Sequence, residues 1–298
     1  MKPSAFLFFL LGTALPITTA KAETTIDTTN KYAWGANTGW INFRPDSTGT
    51  PSGLVFGESY LSGFAYSANT GWINFGDGAP SNHYSYSNQG SDHGVNHDGA
   101  GNLSGYAWSA NTGWINFSWA SESDVNRPTV NLLTGAFSGY AYSANLGWIN
   151  LGAGLLTTVS MNSEDTDSDG ISDQWEWAHF GGLSTADATS DSDGDGVTDI
   201  LEYAAATNPL DTSDYLKLVS QNLNAGYTEV ELDFTSTPNR LYRIEYSADL
   251  GKTDPWHDSS LGIFAPDSGT HTTKTITFSG GGDQKYFFRA VAVRPLTP

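Results

Sequence analysis

The chain has 298 residues, with 13 lysines and arginines against 32 aspartates and glutamates, for a formal net charge of −19. That balance excludes the basic surfaces that nucleic acid and anionic lipid select, and it favours cations. There is no cysteine, so a segment too small to bury a core needs a staple other than a disulfide.

Residues 1–22 read as a secretory signal: Lys2, an apolar run from Ala5 to Leu15, then the small residues Ala20 and Ala22 at a cleavage step. The run is far shorter than the roughly 20 residues that span a bilayer. No later stretch is apolar enough to cross a membrane, so the expectation is cleavage after Ala22 and a mature chain that is secreted or held at the cell surface without membrane insertion. What remains exceeds one compact core, and two or three domains are expected.

Residues 23–161 carry an internal repeat: "YAWGANTGWINF" at 32, "FAYSANTGWINF" at 64, "YAWSANTGWINF" at 106 and "YAYSANLGWINL" at 140. Each copy reads as a β-hairpin. Tyr106 and Trp108 point one way and Ala107 the other, Trp114 and Asn116 alternate with Ile115 and Phe117, and the Asn and Gly of "ANTG" accept the positive φ of a tight turn. A less regular third strand lies between copies, and "LLTTVS" after the last copy supplies the one missing before the first. Four equal units suit either a propeller-like ring or a β-solenoid.

Seven tryptophans lie in this domain, at 34, 40, 72, 108, 114, 119 and 148. They are expected to fill the small core of each unit, the other reading being an aromatic face that stacks on sugar rings. Asn42, Asn74, Asn116 and Asn150 are expected to bridge repeats by hydrogen bonds. The insertion "NHYSYSNQGSDHGVNHDG" offers His83, His93 and His97 with Asp92 and Asp98, ligand types for a transition metal, but its Gly, Ser and Asn content reads as a mobile loop.

Residues 162–214 hold fourteen of the acidic residues and no lysine or arginine. Carboxylates a few Å apart repel by roughly 1 to 4 kcal/mol per pair, and a hard divalent cation reverses that sign. In "DTDSDGISDQWE", Asp165, Asp167 and Asp169 stand at positions 1, 3 and 5, Gly170 at 6 and Glu176 at 12; Asp191, Asp193, Asp195, Gly196 and Glu202 repeat the order in "DSDGDGVTDILE". This is the oxygen-ligand order of a calcium loop, in which the carbonyls of Ile171 and Val197 supply position 7, Asp173 and Asp199 at position 9 coordinate directly or through water, and the glutamate binds through both oxygens. Magnesium, which keeps its waters, fits less well, and the bland reading is a solvated acidic linker. Each loop leads into a short helix-like stretch, one ended by glycine and the other by proline.

The pair "DTDSDGISDQWEWAHFG" and "DSDGDGVTDILEYAAATNPLD" resembles the calcium-binding repeats of the thrombospondin type 3 class, in the form found in secreted bacterial proteins. The resemblance covers about fifty residues. It implies that the aspartates wrap calcium ions into a stiff extracellular connector. Unlike the animal repeats this segment has no cysteines, and its position-12 glutamates are nearer the EF-hand loop.

Residues 215–298 are strand-rich without the repeat: "YLKLVS", "YTEVELDF", "LYRIEYS", "TKTITFS" and "YFFRAVAV" suit a small β-sandwich. "YRIEYSADLGKTDPWHDSS" with "YFFRAVAV" is similar to β-sandwich modules that follow such calcium segments in bacterial surface proteins. The expected class is therefore mainly β, in the order repeat domain, acidic connector with short helices, and sandwich. No cysteine nucleophile, nucleophile elbow or phosphate loop is present. The expected protein is a non-enzymatic extracellular calcium binder that meets surface glycans or other proteins. A carbohydrate-binding repeat domain is the alternative, and a glycan-degrading enzyme the third.

Overall fold

A computed structural model describes residues 24–45, 53–121, 123–226, 228–277 and 285–297; the expected signal at 1–22 lies outside them. Among the described residues, 24–185 with 295–297 form one compact unit and 186–294 the other. The division falls inside the acidic segment 162–214. No helix of the described residues is long and apolar enough to cross a membrane.

Each repeat copy of the first unit is a hairpin: Ile26–Gly35 with Gly39–Asn42, Leu61–Ser67 with Gly71–Gly76, Leu103–Ser109 with Gly113–Asn116, and Tyr140–Ser143 with Gly147–Asn150. Neighbouring hairpins pair across seams, Asn42 opposite Tyr66, Asn74 opposite Trp108 and Asn116 opposite Tyr142. Asn150 opposite Trp34 then joins the last hairpin to the first. The result is one eight-stranded barrel, not the propeller-like ring or solenoid expected from the repeat period. Propeller blades are separate sheets and a solenoid keeps two open ends, whereas continuous seams leave these eight strands without a free edge. Of the intervening strands, Val55–Phe56, Val95–His97 and Leu156–Thr158 extend the barrel, while Thr129–Val130 pairs with Phe137–Ser138 in its own ribbon.

The alternation along each hairpin decides what fills the barrel. Ala33 faces Ile41, Ala65 Ile73, Ala107 Ile115 and Ala141 Ile149 across the strands, and all eight are buried. One step further along, Phe43, Phe75 and Phe117 meet at ring-centroid distances of 5.3 and 5.8 Å. An eight-stranded barrel is only just wide enough for its own side chains, so an alanine opposite each isoleucine fits and an indole does not. The tryptophans are therefore outside, which overturns the expectation that they form the core. Trp34 and Trp40, Tyr66 and Trp72, Trp108 and Trp114, and Tyr142 and Trp148 stand opposite each other on the outer face, 38–53% exposed.

The turns close the ring. Gly39, Gly71, Gly113 and Gly147 take φ of 68, 76, 79 and 74°, which only glycine adopts without strain. Ahead of them, the side-chain amide of each turn asparagine reaches the hairpin before it: Asn69 Nδ2 donates to Thr38 O at 3.1 Å, Asn111 to Thr70 O at 3.0 Å and Asn145 to Thr112 O at 2.8 Å. Asn37 completes the circle by donating to Leu146 O at 3.0 Å. These residues, and not the strand asparagines, bridge the repeats. Asn42, Asn74, Asn116 and Asn150 instead accept the backbone N–H two residues on, at 2.6–2.9 Å.

In the second unit, Leu218–Leu223, Glu229–Thr235 and His271–Thr277 form one three-stranded antiparallel sheet, and His257–Asp258, Leu241–Ser247 and Phe287–Val293 another. Val230, Leu232 and Phe234 of the first share an apolar cluster with Tyr242, Ile244 and Ala292 of the second. The five expected β-rich runs all supply strands.

Candidate metal centres

The first acidic loop folds around its own leading aspartate. Asp165 accepts the backbone N–H of Ser168 at 2.7 Å and of Asp169 at 3.2 Å through Oδ1, and that of Gly170 at 3.0 Å through Oδ2. Asp169 Oδ1 accepts the N–H of Ile171 at 2.8 Å. The turn needs left-handed backbone at Ser168, φ 65°, and at Gly170, φ 98°, so the position-6 glycine has a conformational reason. One oxygen from each of Asp165, Asp167 and Asp169 lies within 4.8 Å of the others.

The second loop repeats this plan. Asp191 accepts the N–H of Gly194 at 2.9 Å and of Gly196 at 3.0 Å. Asp193 accepts that of Asp195 at 3.1 Å, and Asp195 that of Val197 at 2.7 Å. Gly194 and Gly196 have φ of 78 and 95°. Asp191, Asp193 and Asp195 also bring one oxygen each within 4.8 Å of one another.

Each loop runs into a short helix that returns the position-12 glutamate: α1, Asp173–Phe180, carries Glu176, and α2, Asp199–Ala205, carries Glu202. Helix α1 ends on Gly181 at φ 71°, the glycine stop read from the sequence. Helix α2 ends on Ala206 at φ 55°, three residues ahead of the proline expected to stop it.

Both glutamates are 0% exposed. Both oxygens of Glu176 and Oε2 of Glu202 are buried without a hydrogen-bond partner, as are Oδ2 of Asp193 and of Asp195; Glu202 Oε1 meets only the Thr207 hydroxyl, at 3.4 Å. Burial, and then the charges of Asp169 and Asp167, push the Glu176 carboxyl up to about 8. Burial with the charges of Asp193 and Asp195 does the same for Glu202, again to about 8. Buried polar atoms in folded proteins are almost always satisfied, and uncompensated buried anions are costly. A hard dication with several oxygen ligands supplies both missing terms, so the residues present fit calcium.

The position-9 residues hold the loops to the helices. Asp173 accepts the backbone N–H of Thr166 at 2.7 Å and also its hydroxyl. Asp199 accepts the N–H of Ser192 at 3.0 Å and the hydroxyls of Ser192 and Ser190 at 2.8 and 2.6 Å. These carboxylates clasp loop to helix. The signal for it, a hydroxyl at position 2 of both loops, is visible in the sequence. Ile171 and Val197 are buried, and their N–H groups tie back to the preceding aspartates.

Each loop is seated on its own β unit. Gln174 Oε1 in α1 accepts the backbone N–H and hydroxyl of Ser59 at 3.1 and 2.8 Å, and Trp177 stacks on His83 at 4.0 Å. The last carbonyls of α2 are capped by Arg240, which donates to Ala204 O at 2.9 Å and Tyr203 O at 2.5 Å; Ala205 and Leu201 join the apolar cluster of the second unit.

The histidines of the insertion do not converge. His83 lies against Trp177, and His93 bonds Gly90 O at 2.8 Å through Nε2. His97 is buried, with Nδ1 on Gly57 O at 3.1 Å and Nε2 accepting the N–H of Gly101 at 3.0 Å. Burial holds this ring below the ordinary histidine range, as suits a neutral structural imidazole. Among the described residues, the groups able to hold a metal are the two aspartate triplets.

Comparison with known families finds that residues 165–181 and 191–212 match the bacterial TSP3 repeat. The match spans both loops with α1 and α2 and leaves the barrel and the two sheets outside it. Neither the curated proteins nor the solved structures contain a match to this chain.

Proposed function

We propose that this protein is a secreted, non-enzymatic calcium binder of the cell exterior, in which two calcium ions order the joint between its β units. The carrying observation is the pair of glutamates, Glu176 and Glu202, fully buried beside aspartate triplets with carboxylate oxygens that no protein group satisfies. Calcium would be held by Asp165, Asp167, Asp169 and Glu176 in one loop and Asp191, Asp193, Asp195 and Glu202 in the other, with the carbonyls of Ile171 and Val197 completing each shell. The clasps at Asp173 and Asp199 shape the loops for it. Extracellular sites of this kind bind at about 10⁻⁴ to 10⁻³ M, so millimolar calcium adds roughly 0.4 to 1.4 kcal/mol per site. That is enough to order a connector and too little to fold its neighbours.

Calorimetric titration of the full chain tests this reading. Two ions are expected in the wild type and one in Asp165→Ala or Asp191→Ala. A chain that takes up no calcium at millimolar concentration would overturn it.

A second reading is favoured by one observation, the exposure of the paired aromatic rings around the barrel. In it the repeats bind surface carbohydrate and the calcium-ordered joint presents them.

A further inference from the structure

The seams between hairpins place unlike side chains in line on the outer face. Residues directly opposite in antiparallel strands share a face, so Trp114, Trp108, Asn74 and Phe64 form one row over four strands. At about 4.8 Å per strand the row is about 14 Å long. The same order of two aromatics, an asparagine and a third aromatic recurs at each of the other seams, with Asn42, Asn116 and Asn150 in the third place. Each of these asparagines uses Oδ1 for its own backbone, and its Nδ2 donors are not engaged among the described residues. Beside one of them the rings of Trp108 and Trp114 stand 4.6 Å apart, tilted by 59° and about two-fifths exposed.

We propose that each row is a subsite for a short stretch of an uncharged hexopyranose polymer, its C–H faces on the aromatic rings and its hydroxyls accepting from the asparagine amide. The proposal rests on the carbohydrate reading above and names the sugar class for it. Three features select this occupant. No row contains a charged residue, in a chain of net charge −19, so a polyanion gains no partner there and is repelled by the rest of the molecule. An anionic membrane is disfavoured for the same reason, and a plane could touch only one side of a ring of sites. A protein partner needs roughly 800 Å² of surface from each side with a matching shape, whereas the rows repeat the same few aromatic and amide groups around a curved wall. Neighbouring rows touch, Phe64 against Trp72 at 6.2 Å and Tyr106 against Trp114 at 6.1 Å, so a flexible polymer of identical units can follow the repeated aromatic and amide groups from one row to the next.

The test uses the full-length protein with calcium and three probes: soluble β-glucan, galactomannan and polygalacturonate, by affinity electrophoresis. Calorimetry with a trisaccharide of the retained polymer, short enough to lie on one row, then gives the number of sites. Retardation by a neutral polymer is expected, with four oligosaccharide sites falling to three in Trp108→Ala and in Asn74→Asp. The second variant keeps an oxygen to accept the Gly76 N–H while replacing the free donor with an acceptor and one negative charge, which an uncharged sugar does not bind as a cation would. Retention by polygalacturonate alone would overturn the uncharged class and leave the carbohydrate reading standing. Neutral binding with four sites in both variants would overturn the seam assignment in the same way. Failure to bind any of the three, with circular dichroism unchanged, would overturn the proposal, and a silent array of other glycans would then remove the carbohydrate reading as well.

Discussion

In the barrel, every copy of the repeat depends on its neighbours: each gives an alanine and an isoleucine to a shared interior and a turn asparagine to the hairpin before it. In the acidic loops each copy folds by itself, wound on the carboxylate of Asp165 or Asp191 and clasped by Asp173 or Asp199. Cohesion in the first case comes from apolar burial and neutral hydrogen bonds, which cations do not touch. In the second, like charges are gathered at close range on backbone N–H donors, and a bound cation would offset their repulsion. Repetition therefore builds a closed body where the repeated face is apolar and a row of separate sites where it is anionic.

The strongest way to break that contrast is to open the barrel. Ile115 is 2% exposed and faces Ala107, so Ile115→Ala leaves a cavity that nothing adjacent fills. A loss of about 2 to 5 kcal/mol is expected, read as a lower melting temperature of the first unit by near-ultraviolet circular dichroism. The loss should be equal with calcium and with chelator. A deficit that calcium repairs would mean the two regions are not held by separate forces.

A smaller effect sharpens the account of ring closure. Asn111→Ala removes a bond between hairpins, whereas Asn116→Ala removes one from a strand residue to its own chain two residues on. The first is expected to cost about 1 kcal/mol and the second less, in urea unfolding followed by tryptophan fluorescence. Equal costs would show that the turn asparagines do not tie the copies together.

These asparagines also mark where the sequence stops being readable. Both sets are polar residues at fixed places in every copy, and only the paired register tells which of them reaches a neighbour. The hairpins were legible from alternation, but the alternating faces are both apolar, Trp and Tyr on one, Ala, Ile and Phe on the other. Which one lies inside is fixed by the width of an eight-stranded barrel, and that width is a property of the closed sheet. The acidic loops were legible in more detail because the order of their aspartates along the turn is set by local spacing. Even there, the clasping role of Asp173 and Asp199 needs the hydroxyl of Thr166 or Ser192 to be recognised as its partner, and that pairing is fixed only when the helix returns to the loop.

The subtlest test contrasts the same substitution with and without calcium. Glu202→Gln keeps the shape of the side chain. Because burial and the charges of Asp193, Asp195 and Asp199 push the Glu202 carboxyl up to about 8, the substitution removes an anion only above that pH or where a bound cation keeps the group ionised. In chelator at neutral pH the wild-type carboxyl is mostly protonated, so the variant should unfold no more easily than the wild type; above the raised value of about 8 the wild-type group ionises and the variant relieves repulsion. In millimolar calcium it lacks a charged ligand, so bound ions fall from two to one and the second unit forgoes the roughly 0.4 to 1.4 kcal/mol that its site supplies. The stability difference should therefore be near zero in chelator and destabilising in calcium at neutral pH, and should reverse sign on adding calcium above about pH 8, measured as melting temperatures of variant and wild type in the two buffers. Glu176→Gln should show the same reversal in the first unit and leave the second unchanged, because each loop is anchored to a different β unit. A substitution that destabilises equally in both buffers would mean that Glu202 is a packing residue and that the buried carboxylate is held by something other than an ion.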